Sequence, residues 1–308
     1  MSCCKFRVND LIGASVLSIL TLLPMQALTQ EYVLDPDWPK PLPDGIEWGP
    51  VPNVTIDQDG YIYAFHRADP PVLKFDSEGN LVDSFGSEWV SLPHGFRATP
   101  EGTIWATDYQ RRTGHSLIKI DTQGNVKLRV GARGFPGDGP NTFNGPADVA
   151  QAENGDFFVA DGHWNNRIVK FDSSGRYVKE WGGFGSGQGQ LNMPHSLVID
   201  RRGRLLVADR SNHRIQIFTQ DGDYITEWDQ FGWPSGLFID KNDVLYVADY
   251  QSKLGVTYGS ADDGTVFGFI SGTGPEGVVV DDDGNVYVGE VTGGDVSEGR
   301  IVRKFIKQ

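Results

Sequence analysis

The sequence reads VADGHWNNRIVKF over residues 159–171 and VADRSNHRIQIF over residues 207–218, and these two stretches carry one pattern. Each copy has an apolar run that ends in Asp, a polar turn, an arginine and a second apolar run. Short apolar runs bounded by turn residues are typical of β-strands. The two stretches therefore predict that the chain repeats one small antiparallel β-unit.

The same pattern extends outward in both directions to give six units. Each unit begins with a proline, then a small or polar residue and an apolar run, at intervals of 40 to 53 residues. These prolines are Pro52, Pro93, Pro146, Pro194, Pro234 and Pro275. Such intervals suit propeller blades of four strands each. The sequence predicts an all-β fold, a six-bladed β-propeller with four-stranded blades.

The end of the second strand recurs in every unit. It carries His66 in blade one and then, in order, Asp108, Asp161, Asp209, Asp249 and Glu290. Their recurrence favours a structural role in anchoring turns, as does that of Arg167 and Arg214 in the third strands. Blade six has no fourth strand after Phe305, so we expect residues 32–34 to return and close the ring.

The first residues form a separate segment. Basic residues precede an apolar run at residues 11–23, and small residues follow it, which is typical of a secretory signal peptide at residues 1–29. Cys3 and Cys4 lie in this segment, so the exported chain would carry no cysteine. We expect residues 30–308 to form one domain that is secreted or periplasmic.

The charge of the chain bounds its partners. Twenty-seven basic residues stand against 41 acidic ones, for a net charge of -14. Nucleic acid is therefore an unexpected partner. No segment is apolar over the roughly 20 residues that a membrane-spanning helix requires, so no stable membrane span is expected.

The residue after each repeated proline should occupy an equivalent place around the channel, because the first strand of a blade lines it. In order these residues are Asn53, His94, Ala147, His195, Ser235 and Glu276. His94, His195 and Glu276 fall in alternate blades and should converge on the axis. Two imidazoles and a carboxylate suit zinc with one position open, although iron or manganese would also accept them. The alternative is that the histidines bond only to water or backbone.

Further polar residues should line one mouth of this channel. Arg67, His163 and Arg210 directly follow the ends of second strands. The two arginines can bind a carboxylate bidentately in an otherwise acidic protein. These positions predict a small-molecule or peptide substrate that bears a carboxylate.

Residues 159–171 and 207–218 resemble NHL repeats, and the resemblance covers almost the whole chain after residue 30. More specific motifs are FHR (65–67), LPHG (92–95), DGHWNNRIVKF (161–171), MPHS (193–196) and VADR (207–210). Together they resemble the peptidyl-α-hydroxyglycine α-amidating lyases. The resemblance implies an axial zinc and cleavage of an N-acyl-α-hydroxyglycine to an amide and glyoxylate.

The resemblance also implies roles for individual residues. His94 and His195 match two zinc-binding histidines of that family, Arg67 its substrate-binding arginine and Arg210 a second active-site arginine. Glu276, in GPEG, stands where the family has a third zinc histidine in MPHD. Gly277 stands in place of an aspartate that helps to hold a structural calcium, which makes calcium doubtful in this chain. His163 stands in place of the catalytic tyrosine, and we expect it to act as the base.

Two other functions remain open on the sequence alone. A lactonase-like hydrolase would hold calcium on the axis, but the axial ring offers one carboxylate where calcium requires several hard oxygen ligands. A secreted NHL propeller can also be a non-catalytic binding or scaffold protein. The sequence does not identify a monooxygenase partner for the lyase.

Overall fold

The structure, a computed structural model, describes Met1 and residues 32–292 and 301–308. The predicted signal peptide at residues 1–29, with Cys3 and Cys4, lies outside the described residues. The strands form six antiparallel sheets of four strands each. The predicted six-bladed, all-β propeller is confirmed, and a single 3-10 turn at Arg210–Asn212 is the only helical element among the described residues.

The first half of the chain forms one returning strand and three blades. They are β1 (Tyr32–Asp35); β2 (Asn53–Ile56), β3 (Ile62–Phe65), β4 (Val72–Phe75) and β5 (Leu81–Phe85); β6 (Pro93–Ala98), β7 (Thr103–Asp108), β8 (Ser116–Asp121) and β9 (Val126–Val130); and β10 (Pro146–Gln151), β11 (Phe157–Asp161), β12 (Arg167–Phe171) and β13 (Tyr177–Gly182).

The second half forms the other three blades. Their strands are β14 (Pro194–Ile199), β15 (Leu205–Asp209), β16 (Arg214–Phe218) and β17 (Tyr224–Trp228); β18 (Gly236–Ile239), β19 (Val244–Asp249), β20 (Gly255–Ser260) and β21 (Val266–Ser271); and β22 (Pro275–Val280), β23 (Val286–Glu290) and β24 (Val302–Lys307).

The ring closes as expected from the sequence. Strand β1 pairs antiparallel with β24, with Tyr32 opposite Lys307 and Asp35 opposite Lys304, and so supplies the fourth strand of blade six. This pairing covers an edge that β24 would otherwise expose. It joins the N-terminal part of the described chain to its C-terminal strand.

The core lies between neighbouring blades. The second and third strands of blades three and four, β11, β12, β15 and β16, are buried at every position because sheets cover both of their faces. The outer strand β13 instead alternates between half-buried and exposed residues, as expected for a strand with one face in water. Among the described residues, no helix is long and apolar enough to cross a membrane.

The blade topology places the predicted site residues at one end of the channel. In each antiparallel blade the first strand begins at the end where the second strand finishes. His94 and His195 lie at the start of β6 and β14, and Glu276 at the start of β22. His163 and Arg210 follow the ends of β11 and β15 at this same end, which we call the mouth.

The repeated aspartates hold the loops at the mouth, as expected from their recurrence. Asp161 accepts hydrogen bonds from the backbone N–H of Asn144 at 2.8 Å and from Arg167 Nε at 3.0 Å. Asp209 makes the equivalent bond to Arg214 Nε, at 2.8 Å. These buried ion pairs belong to the framework of the blades and are not free to bind a ligand.

Candidate active site

Three axial side chains from alternate blades meet in the channel. Oε1 of Glu276 lies 3.2 Å from Nε2 of His94 and 3.4 Å from Nε2 of His195. All three residues are buried, with at most 5% of their surface exposed. Three of the residues that follow the repeated prolines thus form a compact cluster of two imidazoles and one carboxylate.

Backbone carbonyls of the adjacent blades orient both imidazoles. Nδ1 of His94 donates to the carbonyl of Ala147 at 2.8 Å, and Nδ1 of His195 donates to that of Ser235 at 2.7 Å. Ala147 and Ser235 are themselves the residues that follow the prolines of blades three and five. A hydrogen bond at Nδ1 fixes the tautomer and leaves the lone pair of Nε2 directed toward the axis, as is usual for a metal-binding histidine.

The spacing of these atoms fits a small divalent metal. Ligand atoms at about 2.0–2.1 Å from a tetrahedral zinc stand about 3.3 Å apart, close to the two distances from Glu276 to the histidines. Nε2 of His94 is also buried without a hydrogen-bond partner. A buried polar atom with no partner costs free energy, so it points to a ligand at this position.

A third imidazole joins the cluster from the mouth. His163 contributes a ring nitrogen that lies within 4.8 Å of those of His94 and His195, so the three histidines could hold a metal ion. Nδ1 of His163 lies 3.2 Å from the carbonyl oxygen of Gly145. The preceding Gly162 lies at a close contact between blades three and four, since a Cβ there would stand 1.8 Å from the carbonyl oxygen of Pro194.

Burial and neighbouring charge keep the imidazoles of His195 and His163 neutral. Burial, with the nearby Arg210 guanidinium, lowers the pKa of His195 to about 4. Burial, together with His94 and His195, holds the pKa of His163 well below its usual value. Burial alone would raise the pKa of Glu276, but its contacts with His195 and His94 outweigh this and hold the pKa well below the usual range. Neutral imidazole and ionised carboxylate are the forms that bind metals.

Arg210 lies directly against the cluster. Its Nη1 donates to Nε2 of His195 at 2.6 Å, and its Nη2 donates to the hydroxyl of Tyr250, over whose ring the guanidinium lies 4.7 Å from the centroid. Arg210 therefore uses the same lone pair of His195 that a metal ion would take. A metal on His195 requires this guanidinium to turn away.

Arg67 stands on the other side of the mouth. Its Nε donates to the carbonyl of Pro93, next to His94, at 3.3 Å, and its guanidinium lies 5.2 Å from the ring centroid of Tyr109. No described carboxylate forms an ion pair with Arg67 or Arg210. Both guanidinium groups thus keep donors for an anionic ligand.

Two tyrosines at the site are additions to the residues predicted from the sequence. The Tyr109 ring stacks on His163 at 4.5 Å between centroids and meets His94 edge-on at 4.9 Å. Tyr250 is the partner of Arg210. Their signal is present in the repeat, since Tyr109 follows Asp108 and Tyr250 follows Asp249 just as Arg210 follows Asp209.

The position of Gly277 does not suit a calcium ligand. A Cβ at Gly277 would lie 2.7 Å from Cα of Asn53 and 2.8 Å from the carbonyl oxygen of Pro52. Blades six and one approach too closely here for a side chain. The residues present therefore do not provide the calcium-binding carboxylate that the resemblance would require at this point.

A buried ion pair crosses the channel deeper in the propeller. Nη2 of Arg97 contacts Oδ2 of Asp148 at 2.5 Å, and its Nη1 donates to the carbonyl of Leu237 at 3.0 Å. Ser196 also donates to Asp148, at 2.7 Å. These contacts join blades two to five across the axis. Arg97 thus narrows the channel below the histidines, and the mouth is the natural approach to the site.

Comparison with known proteins agrees with this architecture. The NHL repeat profile matches residues 143–171 and 191–218. The chain contains NHL repeats. These matches cover the first three strands of blades three and four, which include His163, His195 and Arg210.

Relatives by sequence include amidating enzymes. The chain is 30% identical over 193 residues to a probable peptidyl-alpha-hydroxyglycine alpha-amidating lyase of Caenorhabditis elegans, covering 54% of each chain. It is 31% identical over 221 residues to peptidyl-glycine alpha-amidating monooxygenase B of Xenopus laevis, covering 61% of this chain and 25% of that protein. The chain is 33% identical over 194 residues to NHL repeat-containing protein 3 of Mus musculus, covering 59% of this chain and 54% of that protein. The chain thus spans about half or less of these relatives.

Solved structures share the fold at low sequence identity. A gluconolactonase from Xanthomonas campestris has a TM-score of 0.65 at 15% identity, covering 85% of this chain and 87% of that chain. A streptogramin B lyase has a TM-score of 0.60 at 15% identity, covering 86% of this chain and 95% of that chain. These similarities support the propeller architecture and carry no information on the reaction.

Proposed function

We propose that this chain is a secreted, zinc-dependent lyase that cleaves a carboxylate-bearing, N-acyl-α-hydroxyglycine-like substrate to an amide and glyoxylate. The axial cluster carries the proposal, since Nε2 of His94 is buried without a partner beside Glu276 at ligand-to-ligand spacing. Relatives named as peptidyl-alpha-hydroxyglycine alpha-amidating lyases support the reaction class.

His94, His195 and Glu276 would hold the zinc ion. Two imidazoles and a carboxylate leave a fourth position open, which is the arrangement of catalytic rather than structural zinc sites. When bound, zinc supplies a Lewis acid that polarises substrate oxygen. Ala147 and Ser235 keep the imidazoles aligned for this task through their carbonyl groups.

Arg67 and Arg210 would bind the substrate carboxylate. They lie on opposite sides of the cluster, and neither forms an ion pair with a described carboxylate. A guanidinium can donate two parallel hydrogen bonds to a carboxylate, which fixes its orientation. This arrangement would place the α-carbon of the substrate over the axial cluster and beside His163.

His163 would act as the base. Its Nδ1 lies within reach of the carbonyl of Gly145, so the proton belongs on Nδ1 and Nε2 can accept another. Nε2 would take the proton of the substrate hydroxyl while the oxygen forms a C=O bond to the α-carbon. The C–N bond then breaks and the amide nitrogen receives a proton. The products are the amide and glyoxylate, so the atoms balance without water or a redox partner.

A glyoxylate assay with elemental analysis tests this proposal. The purified protein should contain about one zinc per chain and release glyoxylate from N-benzoyl-α-hydroxyglycine. Arg67→Ala should keep the metal but raise KM at least tenfold, because it removes a charged hydrogen-bond donor. A protein with full zinc that releases no glyoxylate from any N-acyl-α-hydroxyglycine would refute the reaction while leaving the metal site intact.

A non-catalytic binding protein is the second candidate. It is favoured by the similarity to NHL repeat-containing protein 3, whose name describes repeats and no reaction. Metal content separates the two functions. The lyase should hold about one zinc per chain, whereas a binding propeller needs no metal and would bind its partner equally well in a chelator. If the lyase activity is present, an oxygen-inserting enzyme such as a monooxygenase must supply the hydroxylated substrate.

A further inference from the structure

The arginines at the mouth differ from the others in their partners. Most arginines of the described residues form an ion pair with a carboxylate, namely Arg97, Arg167, Arg176, Arg201, Arg202, Arg204, Arg214 and Arg303. Those for which the described residues provide no such pair are Arg67, Arg111, Arg112, Arg129, Arg133 and Arg210. Two of these belong to the site, and the other four lie on blade two and its loops.

The four blade-two arginines lie close together on the mouth side. Arg111 and Arg112 lie in the loop between β7 and β8, Arg129 near the mouth end of β9, and Arg133 in the loop that follows. All four are exposed. We call them the arginine track.

Backbone contacts hold the two loops against each other. Nε of Arg133 donates to the carbonyl of Thr113 at 3.2 Å, and the N–H of Gly134 donates to that of Gly114 at 2.8 Å. Arg129 is near enough to Arg133 for the repulsion between them to help lower the pKa of Arg129, after the larger effect of burial. The buried Asp108 carboxylate opposes this repulsion only in part, so the like charges leave a positive field that an anion would relieve.

The arginine track is continuous with the active site. Arg111 lies over the Trp164 ring at 4.8 Å from its centroid, and Trp164 stacks on Tyr109 at 6.1 Å. Tyr109 in turn stacks on His163. A ligand that extends outward from the axial cluster on this side would pass His163 and Trp164 and then reach Arg111. Phe135, 72% exposed in the same loop as Arg133, adds an apolar contact beside the track.

The charge of the whole protein makes this surface unusual. With a net charge of -14, the chain repels anions over most of its surface. A group of unpaired arginines in such a protein concentrates anionic ligands near the mouth. Arg67 contacts the backbone next to His94, whereas Arg111 lies over Trp164 on the outer side of Tyr109. The track would therefore meet the acyl part of a substrate and not its glycine carboxylate.

We propose that the arginine track selects substrates whose acyl part is an acidic peptide, with Asp or Glu side chains bound by Arg111, Arg112, Arg129 and Arg133. This inference rests on the proposed function, because it takes the acidic peptide to be the acyl part of the lyase substrate. The binding of acidic peptide can nevertheless be measured without any reaction. The axial residues of the proposed site act on the α-hydroxyglycine part of a substrate, and the arginine track would add a preference for negative charge in the acyl part.

Binding of labelled octapeptides that end in glycine amide tests the track directly. Acidic, neutral and basic peptides of equal length are compared by fluorescence anisotropy with the full chain. The acidic peptide should bind at least tenfold more tightly than the neutral one at 0.05 M salt. The difference should largely disappear at 1 M salt, where the Debye length is about 3 Å.

Matched variants locate the binding surface. Arg111→Gln with Arg112→Gln should weaken binding of the acidic peptide at least fivefold without changing that of the neutral peptide. Arg176→Gln with Arg201→Gln removes the same charge from exposed turns at the opposite end of the blades and should have little effect. Equal losses in both double variants would show that net charge and not the track is responsible, and would overturn the proposal.

Activity assays separate this inference from the proposed function. Selective binding of acidic peptide with no glyoxylate release would retain the track and refute the lyase. Glyoxylate release with equal kcat/KM for acidic and neutral acyl groups would retain the lyase and refute the track. Tighter binding of a sulfated polysaccharide than of the acidic peptide, lost in the Arg111 and Arg112 variant, would also overturn the choice of peptide as ligand.

Discussion

Nε2 of His94 lies 3.2 Å from Oε1 of Glu276, although the two residues are separated by four blades of sequence. The proximity follows from the propeller, which brings every residue after a repeated proline to the channel. His94 Nε2 has no hydrogen-bond partner there, while its Nδ1 is held by Ala147. The His94 ring is thus held in place through Nδ1, and its Nε2 is available to bind a ligand on the axis.

We expect His94→Ala and His195→Ala each to remove the metal. Each substitution takes away one of three donors, and a two-donor zinc site binds weakly. The measurement is the zinc content per chain after dialysis against a weak chelator. His213→Asn is the matched control, since His213 is exposed beside the 3-10 turn and has a left-handed backbone that Asn tolerates. Full zinc content in both alanine variants would show that the ion, if any, lies elsewhere.

Glu276→Gln should weaken zinc binding at least about 100-fold. Glutamine retains the shape of the side chain but removes the charge that faces both imidazoles, and even outer contacts of metal sites are worth 10–100-fold in affinity. Competition with a chromophoric chelator measures the change. Glu276→His should restore much of the affinity because it supplies another nitrogen ligand. An unchanged affinity in Glu276→Gln would assign the third ligand to His163 instead.

The axial set can be predicted from sequence because it depends only on blade register. A residue directly after a repeated proline has one possible place in the ring, so the positions of the prolines suffice to group His94, His195 and Glu276. The fourth strand of blade five, β21, has no such signal, because residues 255–271 depart from the motif of the other blades.

The arrangement at the mouth cannot be predicted in the same way. The position of the His163 ring depends on the carbonyl of Gly145, which belongs to a long loop of the preceding connection. The partners of Arg210 come from blades four and five, and Tyr109 reaches His163 from blade two. Such contacts depend on side-chain conformations that are determined by the packing of several loops together, and the sequence repeat does not predict them.

His66 should make the stability of the propeller depend on pH. It takes the place of the anchoring aspartates of the other blades: its Nδ1 accepts from the N–H of Gly49 at 3.0 Å, and its Nε2 donates to the carbonyl of Pro70 at 2.7 Å. The bond from Gly49 requires the neutral ring, because a protonated Nδ1 cannot accept. Burial accordingly lowers the pKa of His66 to about 4, although its bond to Pro70 opposes the shift.

The free energy of unfolding should therefore fall as pH decreases from about 6.5 to about 4. The unfolded chain binds a proton at His66 in this range whereas the folded chain does not, which costs up to about 3 kcal/mol. Urea unfolding at several pH values, compared with His66→Gln, isolates this contribution. The variant should be less stable at pH 7.5 and show a shallower decline toward pH 4. Parallel curves for the two proteins would mean that His66 is not the responsible group.

Removal of residues 32–36 should open the ring and lower the melting temperature. Strand β1 pairs with β24 over four residues, and Tyr32 also packs edge-on against Tyr258 of blade five at 5.5 Å between centroids. Loss of these contacts exposes the edge of β24 and leaves blade six with three strands. A fall of about 5 °C or more is expected, since about 1 kcal/mol shifts the melting temperature of a chain of this size by roughly 2 °C. Val33→Thr, which keeps the backbone pairing and changes a half-exposed side chain, should melt within about 1 °C of the parent protein. If the deletion melts as the parent does, blade six is held by its inner three strands alone and the returning strand is dispensable.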